Sequence, residues 1–353
     1  DHLFFEEAPR ESFDDIGGLD TQIEELKHLI LLHLEHPELT GEYGLPLQRA
    51  IMLEGPPGTG KTLLVKALVN WLKELSKSGR SRFMNIKPGE LGSMWYSQTE
   101  AKIREVFKVA REAAAANPDI PVVMFFDEFD SIASSRGANV HRVDDRAVDA
   151  LAVELDGLED RGNILVIAAT NRQDILDAAI TRPGRFGDNP IRIGRPNRAG
   201  ARSILSKYFR PDKPYAPVDG GGDGLAARDE IVDSTLSRLY SPNGESDVAT
   251  ITFRDGTRRT VRIHELVSGA VLAKLAHKAA RAACLREIET GERGIRADDV
   301  FDAIAEEIEG AARLLTPANC KRYLMDLPQD LDVVSVEPVR KKVVHTHRFV
   351  QVA

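Results

Sequence analysis

Five short, largely apolar runs punctuate the first part of the chain: Ala50–Leu53, Phe83–Ile86, Val122–Phe126, Ile164–Ala169 and Ile191–Ile193. Val122–Phe126 and Ile164–Ala169 are continuous apolar runs without polar alternation, which fit strands covered on both faces. Between them the pattern changes to helical spacing. Ile23, Leu26, Leu29 and Ile30 lay an apolar stripe along a helix at 20–35, a helix after Lys61 runs to about Leu75, and Ile103, Val106, Phe107 and Ala110 line one within 98–116. Strands alternating with helices predict an α/β fold with a parallel sheet layered by helices. Loops at the carboxyl ends of its strands would be the ligand-binding ones.

After Pro196 the pattern shifts. Helices are predicted at 199–209, 226–240, 268–290 and 297–309, with a proline- and glycine-rich stretch over 212–224. Alternating β-branched residues in 249–253 and 259–263 flank Asp255-Gly256, which predicts a hairpin. Asp332–Val336 is one further extended candidate. The expected organisation is a linker at 1–12, a large α/β domain at 13–196, a smaller helical domain at 197–312 with its hairpin at 249–263, and an extension at 313–353.

Composition narrows the class. With 353 residues the chain has room for about two domains at ~150 residues each. A net charge of -8 argues against a protein that coats nucleic acid. Cys284 and Cys320 stand far apart and without metal-ligand spacing, so reduced thiols and a cytoplasmic location are expected. No apolar run approaches the ~18 residues of a membrane span, so no membrane partner is expected. The start at Asp1 shows no leader pattern. Upstream sequence is expected before it.

The chemistry begins at Gly55-Pro56-Pro57-Gly58-Thr59-Gly60-Lys61-Thr62, between an apolar strand and a helical run. Glycines let successive N–H groups face one concavity, and the following helix N-terminus adds positive potential. Lys61 would reach the β- and γ-phosphates and the Thr62 hydroxyl would ligate Mg²⁺. Pro57, Gly58, Thr59, Gly60 and Leu63 complete this nucleoside-triphosphate segment. The run 122–126 ends in Asp127-Glu128, aimed from a neighbouring strand at the phosphate loop; Asp127 suits Mg²⁺, directly or through water, and Glu128 suits polarising the attacking water. Asn171, after the next run, would touch the γ-phosphate or that water. Arg182 and Arg185 lie in Thr181-Arg182-Pro183-Gly184-Arg185-Phe186, where a charge-neutralising arginine would accelerate phosphoryl transfer by about 10³–10⁵.

Together these motifs resemble the AAA ATPase family from about Phe13 to Glu309. The resemblance implies an α/β P-loop AAA module with a parallel sheet layered by helices, plus a smaller helical domain carrying a β-hairpin insertion. It implies ATP and Mg²⁺ as cofactors and a homohexameric ring. By the same resemblance Asp15-Ile16-Gly17 contacts adenine, Gly269 and Ala270 lie beside the nucleotide, and Arg182 and Arg185 act on the neighbouring subunit's nucleotide. Trp95 and Tyr96, in Met94-Trp95-Tyr96-Ser97, stand at the family's aromatic pore loop, and Arg136–Asp144 at its second loop.

Within the family the chain is most similar to bacterial proteasomal ATPases of the Mpa/ARC group, through the hairpin with Leu266–Ala270 and through Glu289–Arg296. It differs in three ways. The group's coiled coil and barrel domains are absent from this sequence, the Gln-Tyr-Leu tail is replaced by Arg348–Ala353, and Arg185-Phe186-Gly187-Asp188 carries one residue more than the usual Arg-Phe/Leu-Asp. The implied activity is Mg-ATP-dependent unfolding and translocation of protein substrates, with a proteasome core particle and a ubiquitin-like tag as candidate partners. The alternative is a remodelling or scaffold ATPase that disassembles complexes without threading them. No nucleic acid partner is expected.

Overall fold

A computed structural model describes residues 5–7, 9–34, 36–45, 49–88, 99–133, 143–158, 163–188, 190–217, 224–242, 246–324, 327 and 332–339. The chain divides into two compact units, Asp1–Tyr208 with Ser268–Ala273, and Phe209–Val267 with Lys274–Ala353.

The first unit is built on five strands, β1 (Ala50–Glu54), β2 (Arg82–Ile86), β3 (Val122–Phe126), β4 (Ile164–Thr170) and β5 (Ile191–Arg192). They form one parallel sheet in the order β2-β3-β4-β1-β5. Its helices are α1 (Asp20–Leu34), α2 (Pro37–Glu42), α3 (Lys61–Leu75), α4 (Thr99–Ala116), α5 (Val143–Asp156) and α6 (Arg198–Tyr208).

The period of two along each strand explains why the apolar runs are continuous. Val122, Met124 and Phe126 of β3 enter one core with Ile103 and Phe107 of α4 and Val148 and Leu151 of α5. Val123 and Phe125 enter the opposite core with Leu26 of α1 and Leu64 and Leu68 of α3. Both faces of the sheet are therefore dry, and every β3 residue is buried. At the β2 edge, the Glu6 N–H donates to the Phe83 carbonyl at 2.9 Å and Phe5 packs against the α4–α5 core.

One expectation is corrected here. The Asp127-Glu128 strand, β3, is not the neighbour of the phosphate-loop strand β1, because β4 lies between them and pairs with both. Two buried β-ladders thus separate the loops that the sequence placed on adjacent strands.

The second unit contains α7 (Gly224–Leu239), β6 (Asp247–Phe253), β7 (Arg258–Arg262), most of α8 (Gly269–Thr290), α9 (Ala297–Leu314), α10 (Cys320–Tyr323) and β8 (Val333–Pro338). The hairpin turn is set by Asp255, whose Oδ1 accepts from the Thr257 N–H at 2.9 Å and from its hydroxyl at 2.7 Å. The hairpin does not stand alone: β8 pairs antiparallel with the free edge of β6, giving the order β7-β6-β8. This pairing buries Val248, Ile251 and Phe253 in a central strand.

Candidate functional site

The phosphate loop turns sharply out of β1. Gly58 has φ 75°, and a Cβ there would come within 2.9 Å of the Ser268 hydroxyl and 3.0 Å of the Ala270 methyl. Its carbonyl also accepts from the Ala270 N–H at 3.0 Å. Only glycine satisfies both the left-handed backbone and that approach. The start of α8 is thereby pinned to the loop.

Lys61, the first residue of α3, is almost fully buried. Its ammonium donates to the Gly55 and Pro56 carbonyls and to Asn171 Oδ1, each at 2.8 Å. Burial pulls its pKa down from 10.5 to about 8, against the opposing pull of Asp127 and Asp130. The adjacent Thr62 hydroxyl donates to Asp127 Oδ2 at 3.0 Å. Asp127 Oδ1 accepts from the Glu128 N–H at 2.9 Å. Glu128 itself is exposed and has φ 48°, alone among the described non-glycine residues in the left-handed region.

These groups converge on one cavity of about 420 Å³, within the size range of ligand sites. It is lined by Asp15, Ile16, Gly17, Pro57 through Leu63, Asp127, Glu128, Asn171, Gly269 and Ala270, all in the first unit. Leu19 and three residues of α6, Ile204, Lys207 and Tyr208, also line it and were not anticipated. A surface helix beyond the sheet carries no motif that ties it to the phosphate loop. Asp15 contributes mainly backbone, since its carboxylate accepts from the Ser12 N–H at 2.8 Å and the Ser12 hydroxyl at 3.2 Å.

Two family descriptions match the chain: "ATPase family associated with various cellular activities (AAA)" over residues 51–193, and "ARC, AAA+ ATPase lid domain" over 196–324. The chain belongs to the AAA ATPase family. It is similar to an "AAA ATPase forming ring-shaped complexes" of Kocuria rhizophila, 42% identical over 87% of this chain and 55% of that protein. It is also similar to a "Proteasome-associated ATPase" of Acidimicrobium ferrooxidans, 38% identical over 87% of this chain and 54% of the other. A third relative, from Corynebacterium efficiens and named like the first, is 39% identical over 90% of this chain and 58% of its own length. The chain thus spans little more than half the length of these curated relatives. The lid description begins at residue 196, whereas by packing α6 stays with the sheet unit.

The two loop arginines differ in their surroundings. Arg182 is exposed. Arg185 is held within its own chain by Asp156, at the end of α5, and by the Ala179 carbonyl. Glycine at position 187 has a physical reason. A Cβ there would sit 2.1 Å from the Thr181 carbonyl oxygen, so the loop closes on itself only with glycine at that point. Phe186 beside it is buried, with its ring 5.2 Å from that of Phe129, edge to face.

Trp95 and Tyr96, residues 136–142 of the second loop, and Arg348–Ala353 lie outside the described residues. No helix among the described residues is long and apolar enough to cross a membrane. Among the described residues no group of three or more His, Cys, Asp or Glu is gathered as a metal site. A hydroxyl and a carboxylate 3.0 Å apart at the mouth of a phosphate loop nevertheless suit Mg²⁺, which takes few protein oxygens and keeps water and phosphate as its other ligands.

Proposed function

We propose that this chain is the ATP-hydrolysing module of a ring-forming protein unfoldase. The observation that carries the reading is the convergence of Lys61, Thr62, Asp127, Glu128 and Asn171 on one cavity with the phosphate loop as its floor. In this reading Thr62 and Asp127 hold Mg²⁺, which neutralises charge on the β- and γ-phosphates when bound. Glu128 polarises the attacking water, Asn171 contacts the γ-phosphate or that water, and Lys61 binds the β- and γ-phosphates. Asp15, Ile16 and Gly17 contact adenine through backbone groups, with Gly269 and Ala270 flanking the nucleotide.

Arg182 and Arg185 act on the nucleotide of the next subunit in a homohexamer, a head-to-tail arrangement that only a closed ring completes. Two of the relatives above are named for forming ring-shaped complexes. The substrate is an extended polypeptide gripped by Trp95 and Tyr96, whose flat rings need no particular sequence. A proteasome core particle as partner, ubiquitin-like tagging of substrates and a cytoplasmic location belong to the same proposal; the name of the Acidimicrobium relative supports the first.

The test is loss of fluorescence from a folded reporter with an unstructured tail, with ATP and Mg²⁺. The expected result is unfolding that stops when Trp95 is replaced by Ala while basal ATP turnover largely persists. A second reading, disassembly of partner complexes without threading, draws on the relatives named for ring formation alone. Release of a folded partner with no unfolding of the reporter would favour it.

A further inference from the structure

The β3–β4 ladder ends at Phe126↔Ala168, whereas β4 remains paired with β1 out to Glu54↔Thr170. Beyond Phe126, β3 therefore leaves β4 just where Glu128 and Asn171 must be held in register. The side chain of Asp130 bridges that gap. One carboxylate oxygen, Oδ1, accepts from the Thr170 hydroxyl at 3.0 Å and from the Asn171 N–H at 3.1 Å. Thr170 is fully buried, and its hydroxyl in turn accepts from the Arg172 N–H at 2.9 Å. On the other side, the turn bearing Asp130 is closed by the Ser131 N–H and hydroxyl, which donate to the Glu128 carbonyl at 2.9 and 2.8 Å.

We infer that Asp130 is a positioning residue for hydrolysis, whose carboxylate clamps the Asn171 backbone to the Glu128 turn where the β-ladder has ended. Hydrogen bonds to a charged acceptor are stronger than neutral ones, so this carboxylate suits a junction that must hold its geometry. The two donors come from consecutive residues, Thr170 at the end of β4 and Asn171 just beyond it. Asp130 thus fixes the backbone from which the Asn171 side chain extends, and the Oδ1 of that side chain receives the Lys61 ammonium. The inference rests on the reading of Asn171 as a group that contacts the γ-phosphate or the water, and the experiment separates the two.

The experiment measures kcat and KM for ATP, the affinity of a fluorescent ATP analogue, and the thermal midpoint of Asp130→Ala, Asp130→Asn and Asn171→Ala. Asp130→Ala is expected to lower kcat about tenfold to hundredfold while analogue affinity changes less than about threefold. Asp130→Asn, whose amide oxygen can accept the same two bonds, should recover most of that loss. A merely structural role would lower affinity and turnover together with the thermal midpoint, and that result overturns the inference. So does parental turnover in a folded Asp130→Ala variant, or equal inactivity of folded Asp130→Ala and Asp130→Asn. Parental turnover in Asn171→Ala overturns both this inference and the role of Asn171, whereas loss there with an active Asp130→Ala overturns this inference alone. If Asp130→Ala does not fold, Thr170→Val removes one donor isosterically. Severalfold lower kcat at unchanged affinity supports the clamp, and parental kcat overturns it.

Discussion

Arg185 and Asp156 form a two-pronged ion pair within a single chain: Nε donates to Oδ1 and Nη2 to Oδ2, each at 2.6 Å. The pair holds the Asp156 carboxyl below its usual range and the guanidinium above its own, mainly through these hydrogen bonds. In the proposed role, Arg185 would have to exchange Asp156 for a phosphate to act on another subunit. Asp156 is largely exposed but Arg185 is mostly covered, so the exchange starts from a pair hydrated on the carboxylate side only, whose two-pronged geometry must be broken.

Replacing Arg185 with Ala is expected to lower ATP turnover about 10³-fold or more while sparing nucleotide binding. Asp156→Ala should cost only a few-fold, because it frees the arginine instead of removing it. Mixing inactive Glu128→Gln and Arg185→Ala chains should restore turnover, since some sites then combine an intact glutamate with an intact arginine. Absence of recovery on mixing, with equal losses in Arg185→Ala and Asp156→Ala, would mark the pair as a brace.

Lys61 predicts a pH dependence. Its pKa in the folded chain is about 8, below the 10.5 of a free lysine, and the cause is burial. The ammonium assigned to phosphate is therefore present well below pH 8 and is lost as pH rises through it. ATP affinity measured in EDTA should fall as pH rises through about 8, and Lys61→Arg should abolish that limb. For stability the sign is opposite. Between pH 8 and 10.5 the unfolded chain binds the extra proton, so this group's contribution to stability rises with pH across that window. A flat affinity profile from pH 7 to 10 would contradict the assignment.

The backbone at Glu128 is strained. A non-glycine residue at φ 48° costs about 1–3 kcal/mol, which persists where function requires the residue. Glu128→Gly should raise the thermal midpoint by a few degrees and abolish turnover. Glu128→Gln should leave stability and ATP binding unchanged and abolish turnover alone. Calorimetry with a phosphate-release assay reads both, and unchanged turnover in Glu128→Gln would remove the glutamate from the mechanism.

Gly187→Ala tests the tight closure of the arginine loop. Its methyl would meet the Thr181 carbonyl, so the loop must open at a cost of about 1–3 kcal/mol. The expected outcome is a lower thermal midpoint together with reduced turnover, because Arg182 and Arg185 ride on the displaced segment. A variant as stable and as active as the parent would show that the loop absorbs the methyl freely.

Much of the fold was legible because burial leaves a local trace. A strand covered on both sides must be apolar throughout, as Val122–Phe126 is, and a hairpin needs a residue such as Gly256 that tolerates φ 85°. Relations between distant segments leave no such trace. Nothing local in Val333–Pro338 distinguishes an edge strand completing the hairpin sheet from any extended tail, and nothing near Glu6 announces its bridge to Phe83. The clamp at Asp130 was hidden for the same reason, since an aspartate after Glu128 reads locally as one more acidic turn residue.

By itself the sequence determined the chemistry of each loop. Gly55 to Thr62, Asp127-Glu128 and Asn171 carry residue types whose donors, charges and backbone freedom suit a triphosphate wherever they are brought together. Tertiary structure alone decided how they meet. It put β4 between β1 and β3, so that Asn171 stands between the phosphate loop and the acidic pair; it set Asp130 where the β3–β4 ladder stops, and it tied Arg185 to Asp156. The physical reason is that period and composition record which face of an element is buried. The choice of neighbour depends on how all the buried faces pack at once.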